Sequence, residues 1–176
     1  MAELVGIKEI RAALGEINSG NAKRAAEGLK IALEIESESI AFYALREHKS
    51  ADSDSKNFFA FLAGQEREHL AAIESLIKSL EKDGKWIVPR LPEEKPVIFS
   101  KKDWDKEEGE QSLTAILFAF WKEKIAMEFY SRIAEKATDK NVKGFFSALA
   151  YFEKSHADML GELVEESYYT NELIMG

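Results

Sequence analysis

The stretch NFFAFLAGQEREHLAAIESL, residues 57–76, is matched without gaps by GFFSALAYFEKSHADMLGEL, residues 144–163. Extended upstream, the match carries residues 36–76 onto 123–163 at a constant offset of 87. Thirteen of the 41 aligned pairs are identical, where composition alone would give about three. They are Glu36/Glu123, Phe42/Phe129, Tyr43/Tyr130, Lys49/Lys136, Asp52/Asp139, Lys56/Lys143, Phe58/Phe145, Phe59/Phe146, Leu62/Leu149, Ala63/Ala150, Glu66/Glu153, His69/His156 and Leu76/Leu163. The chain is therefore built from two copies of one unit.

That unit reads as a helical hairpin. Apolar residues recur at helical spacing through Leu29, Leu33, Ile40 and Ala44, then through Phe58, Leu62, Ala63, Leu70, Ile73, Leu76, Ile77 and Leu80. Helices are predicted at about 22–50 and 55–82, with the turn and cap residues of SADSDS between them. So short a connection makes the pair antiparallel. The second copy predicts helices at about 112–137 and 141–167, joined around ATDKN.

The stretch 83–111 holds all three prolines and breaks the helical period. Two equivalent hairpins related by a pseudo-twofold need a link as long as the bundle. Its 29 residues, at up to about 3.3 Å each, can run beside a helix of about 40 Å. Trp86, Ile87, Val88, Val97, Ile98 and Phe99 in it are expected to pack along the bundle. A short amphipathic helix at about 3–17, with Leu4, Ile7, Ile10, Leu14 and Ile17 on one face, ends at NSGN. The resulting division is a single domain over 1–176: extension 1–21, hairpin one 22–82, crossover 83–111, hairpin two 112–167, tail 168–176.

Composition narrows the chemistry. With no cysteine among 176 residues, disulfides, Cys-ligated zinc, Fe–S clusters and thiol catalysis are excluded within the chain. A net charge of -8 and no basic patch argue against nucleic acid or an anionic membrane as partner. The first residues have charges throughout and no continuous apolar run, so neither a secretory signal nor a membrane span is expected, and a cytoplasmic protein is the simple reading.

Position gives some of the acidic residues a different meaning from solvated surface. Glu66 and His69, and again Glu153 and His156, are three residues apart, so each pair shares a helix face. Glu36 and Glu123 add one carboxylate from the first helix of each hairpin. The set is one Glu or one Glu-x-x-His per helix, all directed inward. Oxygen-rich ligation with one imidazole per metal suits iron or manganese better than structural zinc. Four buried carboxylates cost several kcal/mol each unless paired, and two divalent ions neutralise them. Tyr43 and Tyr130, two turns after Glu36 and Glu123, are placed to hydrogen-bond a ligating carboxylate, with Phe42, Phe59, Phe129 and Phe146 keeping the surroundings apolar. His48 reads as structural or exposed, and Glu34, Glu38, Glu47, Glu68 and Glu128, which have no matched partner in the repeat, are expected to form solvated faces.

These residues, with the E-x6-Y pattern of Glu36 to Tyr43 and Glu123 to Tyr130, resemble the rubrerythrin branch of the ferritin-like superfamily over about residues 28–167. The resemblance implies an all-α ferritin-like four-helix bundle with a long crossover. It also implies two iron ions, with manganese as the substitute, bridged by Glu66 and Glu153, with Glu36, His69, Glu123 and His156 as terminal ligands. Reaction with hydrogen peroxide or dioxygen would follow, with ferroxidase or iron storage, or a metal-stabilised sensor module, as the alternatives. Two departures limit the inheritance. The four-cysteine rubredoxin-like domain of rubrerythrins proper is missing, so an external electron donor such as a rubredoxin-like protein is implied. Many peroxidase rubrerythrins carry an extra Glu three residues after the third-helix ligand, where Ala126 stands here, so a more symmetric centre is expected. A homodimer is the default assembly.

Overall fold

The computed structural model describes the backbone of residues 7–91 and 109–175, and side chains over 8–91 and 113–165. Among these residues there are five helices and no strand: α1 (Ile7–Ile17), α2 (Ala22–Lys49), α3 (Ser53–Asp83), α4 (Gly109–Lys136) and α5 (Lys140–Met175). Leu4, Val97, Ile98 and Phe99 lie outside the described residues. Both hairpins begin their second helix with a matched residue. The Asp52 carboxylate accepts the Ser55 N–H at 2.7 Å, and that of Asp139 accepts the N–H groups of Asn141 and Val142 at 2.8 and 3.1 Å. Asn21 caps α2 in the same way, and Gly84 closes α3 in the left-handed conformation at φ 64°.

α5 runs to Met175 instead of ending near 167, because nothing in SYYTNELIM interrupts a helix. α4 likewise begins at Gly109, three residues before the expected start.

α2 packs chiefly on α3 and α4 chiefly on α5. The interior divides into two apolar clusters. The smaller holds Tyr43, Phe58, Phe59, Leu62, Ala63, Ile116, Ala119, Leu160 and Leu163. Shifted by 87 residues, every one of them falls on a member of the larger cluster: Tyr130, Phe145, Phe146, Leu149, Ala150, Leu29, Ala32, Ile73 and Leu76. The repeat is thus a repeat of packing, with one cluster toward each end of the bundle. Each fully buried Leu, Ile or Phe stabilises the fold by about 1.5–3 kcal/mol.

Among the described residues outside the four long helices, those that add cover add it to the larger cluster. Ala13, Leu14 and Ile17 of α1 join it, and Trp86, Val88 and Leu91 from the start of the crossover pack against it, whereas Ile87 is largely exposed. α1 lies close on α2 at Gly28, where a Cβ would stand 2.6 Å from the Ala13 carbonyl oxygen. No helix among the described residues is long and apolar enough to cross a membrane.

Candidate metal centre

Between the two clusters, at the level where all four long helices face one another, the interior turns polar. Glu36 of α2, Glu66 and His69 of α3, Glu123 of α4, and Glu153 and His156 of α5 are each at most 1% exposed. Their ligand atoms form two overlapping groups, Glu36, Glu66, His69 and Glu153, and Glu66, Glu123, Glu153 and His156, each with its atoms within 4.8 Å of one another. Glu66 and Glu153 belong to both.

The distances follow the twofold. His69 Nδ1 lies 3.1 Å from Glu153, 3.4 Å from Glu66 and 3.9 Å from Glu36. His156 Nδ1 lies 3.2 Å from Glu66, 3.6 Å from Glu123 and 3.7 Å from Glu153. The two imidazoles are 5.8 Å apart between centroids. Tyr43 and Tyr130 are fully buried, and each reaches across the bundle, Tyr43 donating to Glu123 and Tyr130 to Glu36.

So dense a set of acids reshapes its own titration. Burial, reinforced by the charges of Glu153 and Glu66, pushes Glu36 well above the ordinary carboxylate range, and burial with Glu66 and Glu153 does the same to Glu123. For the shared pair burial acts in the same direction but loses. Contacts with Glu36, His156 and His69 hold Glu66 well below its usual value, and the two imidazoles lower Glu153. His156 is raised, since its three carboxylate neighbours outweigh the cost of burying its charge. Burial first, then the adjacent carboxylates, push both tyrosine hydroxyls up, so they stay protonated and donate.

The donor set fits a pair of divalent ions. Glu36 Oε2 and both Glu153 oxygens are sealed from solvent without a well-aligned hydrogen bond. Native interiors rarely leave buried carboxylate oxygens in that condition unless something else meets them. Two 2+ charges against four carboxylates give neutrality, and two carboxylates common to both groups allow bridging.

The structure also places residues to which the sequence patterns gave no role. Phe152 is offset-stacked against the His69 ring, with centroids 5.6 Å apart and planes 6° apart. Lys122, beside Glu123, is buried with its ammonium 3.4 Å from Glu38 and 5.9 Å above the Phe118 ring. Glu38 is consequently half-buried and paired instead of solvated, and Glu47 is also partly covered, while Glu34, Glu68, Glu128 and His48 are exposed. Phe59, Phe129 and Phe146 are buried and Phe42 half-buried. The repeat sets Ile35 opposite Lys122 and Ile125 opposite Glu38, and this mismatch was the signal available in the sequence.

A family model described as Rubrerythrin matches residues 27–164. No individual curated protein matches, and no solved structure does.

Proposed function

The chain belongs to the rubrerythrin family and has its ferritin-like all-α bundle, and on that footing we propose that it is a cytoplasmic di-iron oxidoreductase reducing hydrogen peroxide or dioxygen. The observation that carries the reading is the sharing of Glu66 and Glu153 between two buried four-ligand groups. Glu36, Glu66, His69 and Glu153 would hold one ion, and Glu66, Glu123, Glu153 and His156 the other. Two iron ions held there would supply the two electrons that, with two protons, convert one hydrogen peroxide to two waters.

The rest of the work belongs to the protein. Tyr43 and Tyr130 fix the orientation of Glu123 and Glu36 by hydrogen bonds to the oxygens that do not face the imidazoles. The apolar clusters at both ends keep bulk water from the centre. With no cysteine in the chain, the electrons come from outside, from a rubredoxin-like protein or another one-electron donor.

Elemental analysis of the purified protein tests this, together with absorption spectra of the anaerobically reduced form before and after peroxide. About two irons per chain and a new oxo-bridged ferric absorption on peroxide addition are expected. Many irons per chain inside a shell-like assembly would transfer the reading to iron storage. Failure to take up any transition metal after reconstitution would sink it.

A further inference from the structure

The offset of 87 carries His69 onto His156, and it carries Phe152 onto Gln65. Phe152 is offset-stacked against the His69 ring, and the position that matches it in the His156 half is taken by Gln65 of α3. The operation holds at the level of side chains. It relates the Tyr43–Glu123 bond to the Tyr130–Glu36 bond, and the stacked pair Tyr43 and Phe59, 6.2 Å apart, to Tyr130 and Phe146, 6.0 Å apart.

The two halves therefore differ in polarity. Phe61 and Met159 pack onto the smaller cluster at the positions that the other half fills with Ala148 and Ala72. Bulk lost where Gln65 replaces a ring is thus supplied nearby, and what remains is an amide where the other half has an aromatic. Gln65 is half-buried, and its Oε1 is sealed from solvent and accepts no hydrogen bond. A buried amide oxygen without a donor is costly and calls for a specific explanation.

We propose that Gln65 makes the centre one-sided: its amide is the hydrogen-bonding partner of the incoming oxidant at the His156 half, while the Phe152 ring closes the His69 half. Hydrogen peroxide carries both a donor and an acceptor on each oxygen, and a primary amide offers the complementary pair, whereas a phenyl ring offers neither. The assignment rests on the metal-centre reading above. Gln65 is a positioning residue for the small ligand, in addition to the six ligating side chains.

The test is azide binding to the iron-loaded, oxidised protein, followed by absorption, in wild type, Gln65→Leu, Gln65→Met and Phe152→Leu. An amide N–H can meet azide as it meets peroxide. Loss of one hydrogen bond is expected to weaken azide binding about tenfold in both Gln65 variants. Phe152→Leu should stay within about twofold, with iron content equal in all four proteins. In peroxide turnover, Gln65→Leu should raise KM more than it lowers kcat. Wild-type azide affinity in Gln65→Leu, or an equal loss in Phe152→Leu, overturns the proposal while leaving the metal centre intact. Should Gln65→Leu fail to fold, Gln65→Met, which keeps the side-chain length, decides alone. A wild-type protein that takes up no iron overturns the metal centre and the proposal together.

Discussion

The hydroxyl of Tyr43 donates to Glu123, on the opposite hairpin, and not to Glu36, seven residues earlier on its own helix. Tyr130 does the reverse. Each tyrosine thus ties its own hairpin to the other's carboxylate, and a double-mutant cycle reads this directly. Tyr43→Phe should couple with Glu123→Ala and behave additively with Glu36→Ala, with a coupling of about 1–3 kcal/mol in thermal or denaturant unfolding of the metal-free protein. Coupling to Glu36 in its place would refute the crossed arrangement.

Sharing of carboxylates predicts unequal losses on truncation. Glu66→Ala or Glu153→Ala removes a ligand from both groups and should abolish metal binding. Glu36→Ala removes one ligand from one group and should leave the half containing Glu123 and His156 occupied. Glu34→Ala and Glu128→Ala, both at exposed positions, should leave the metal content unchanged. Elemental analysis after reconstitution measures all five.

The pH dependence of stability has a definite sign. Glu36 and Glu123 are raised above 4.5 in the folded chain, so their contribution is complete below that pH and is lost as pH rises through their folded values. His156, raised above 6.5, acts in the same direction. Glu66 and Glu153 are lowered, and their contribution is lost as pH falls below 4.5 through their folded values. The metal-free protein should therefore be most stable in mild acid and weaken toward alkaline pH. Metal ions displace the retained protons, so the rise in Tm on metal loading should grow with pH. Thermal unfolding of both forms at several pH values checks this, and a gain that shrinks with pH would contradict it.

Gly28→Ala tests the seat of α1. A glycine in mid-helix ordinarily gains about 0.5–1 kcal/mol on conversion to alanine. Here the new Cβ would meet the Ala13 carbonyl oxygen at 2.6 Å and Ile17 Cγ1 at 2.9 Å, and a backbone atom cannot swing aside. Net destabilisation of about 1–3 kcal/mol is expected, with faster proteolysis near residues 18–20 and unchanged metal content. Stabilisation would show that α1 is not held at this contact.

The hairpins and the six converging residues were legible in the sequence because both depend on local spacing. Three residues make nearly one turn of helix, and an offset of 87 is visible in a single line of text. The destination of the tyrosine hydroxyls was not legible, since it depends on the register between hairpins, which a repeat within one chain does not contain. Lys122 with Glu38, and Gln65 against Phe152, escaped notice for another reason. They are differences between the copies, and attention to identical pairs passes over them. The end of α5 was missed because the helix there simply continues, without a residue that signals its end.

α2 packs chiefly on α3 and α4 chiefly on α5, and between the two apolar clusters the hairpins meet at a level that is acidic and buried. Without ions, protons retained on Glu36 and Glu123 ease the repulsion there; bound ions would take their place and draw the halves in. The centre is then also a clasp. Chelation should loosen this middle level first, while the apolar clusters on either side of it, each built from both hairpins, keep the halves together.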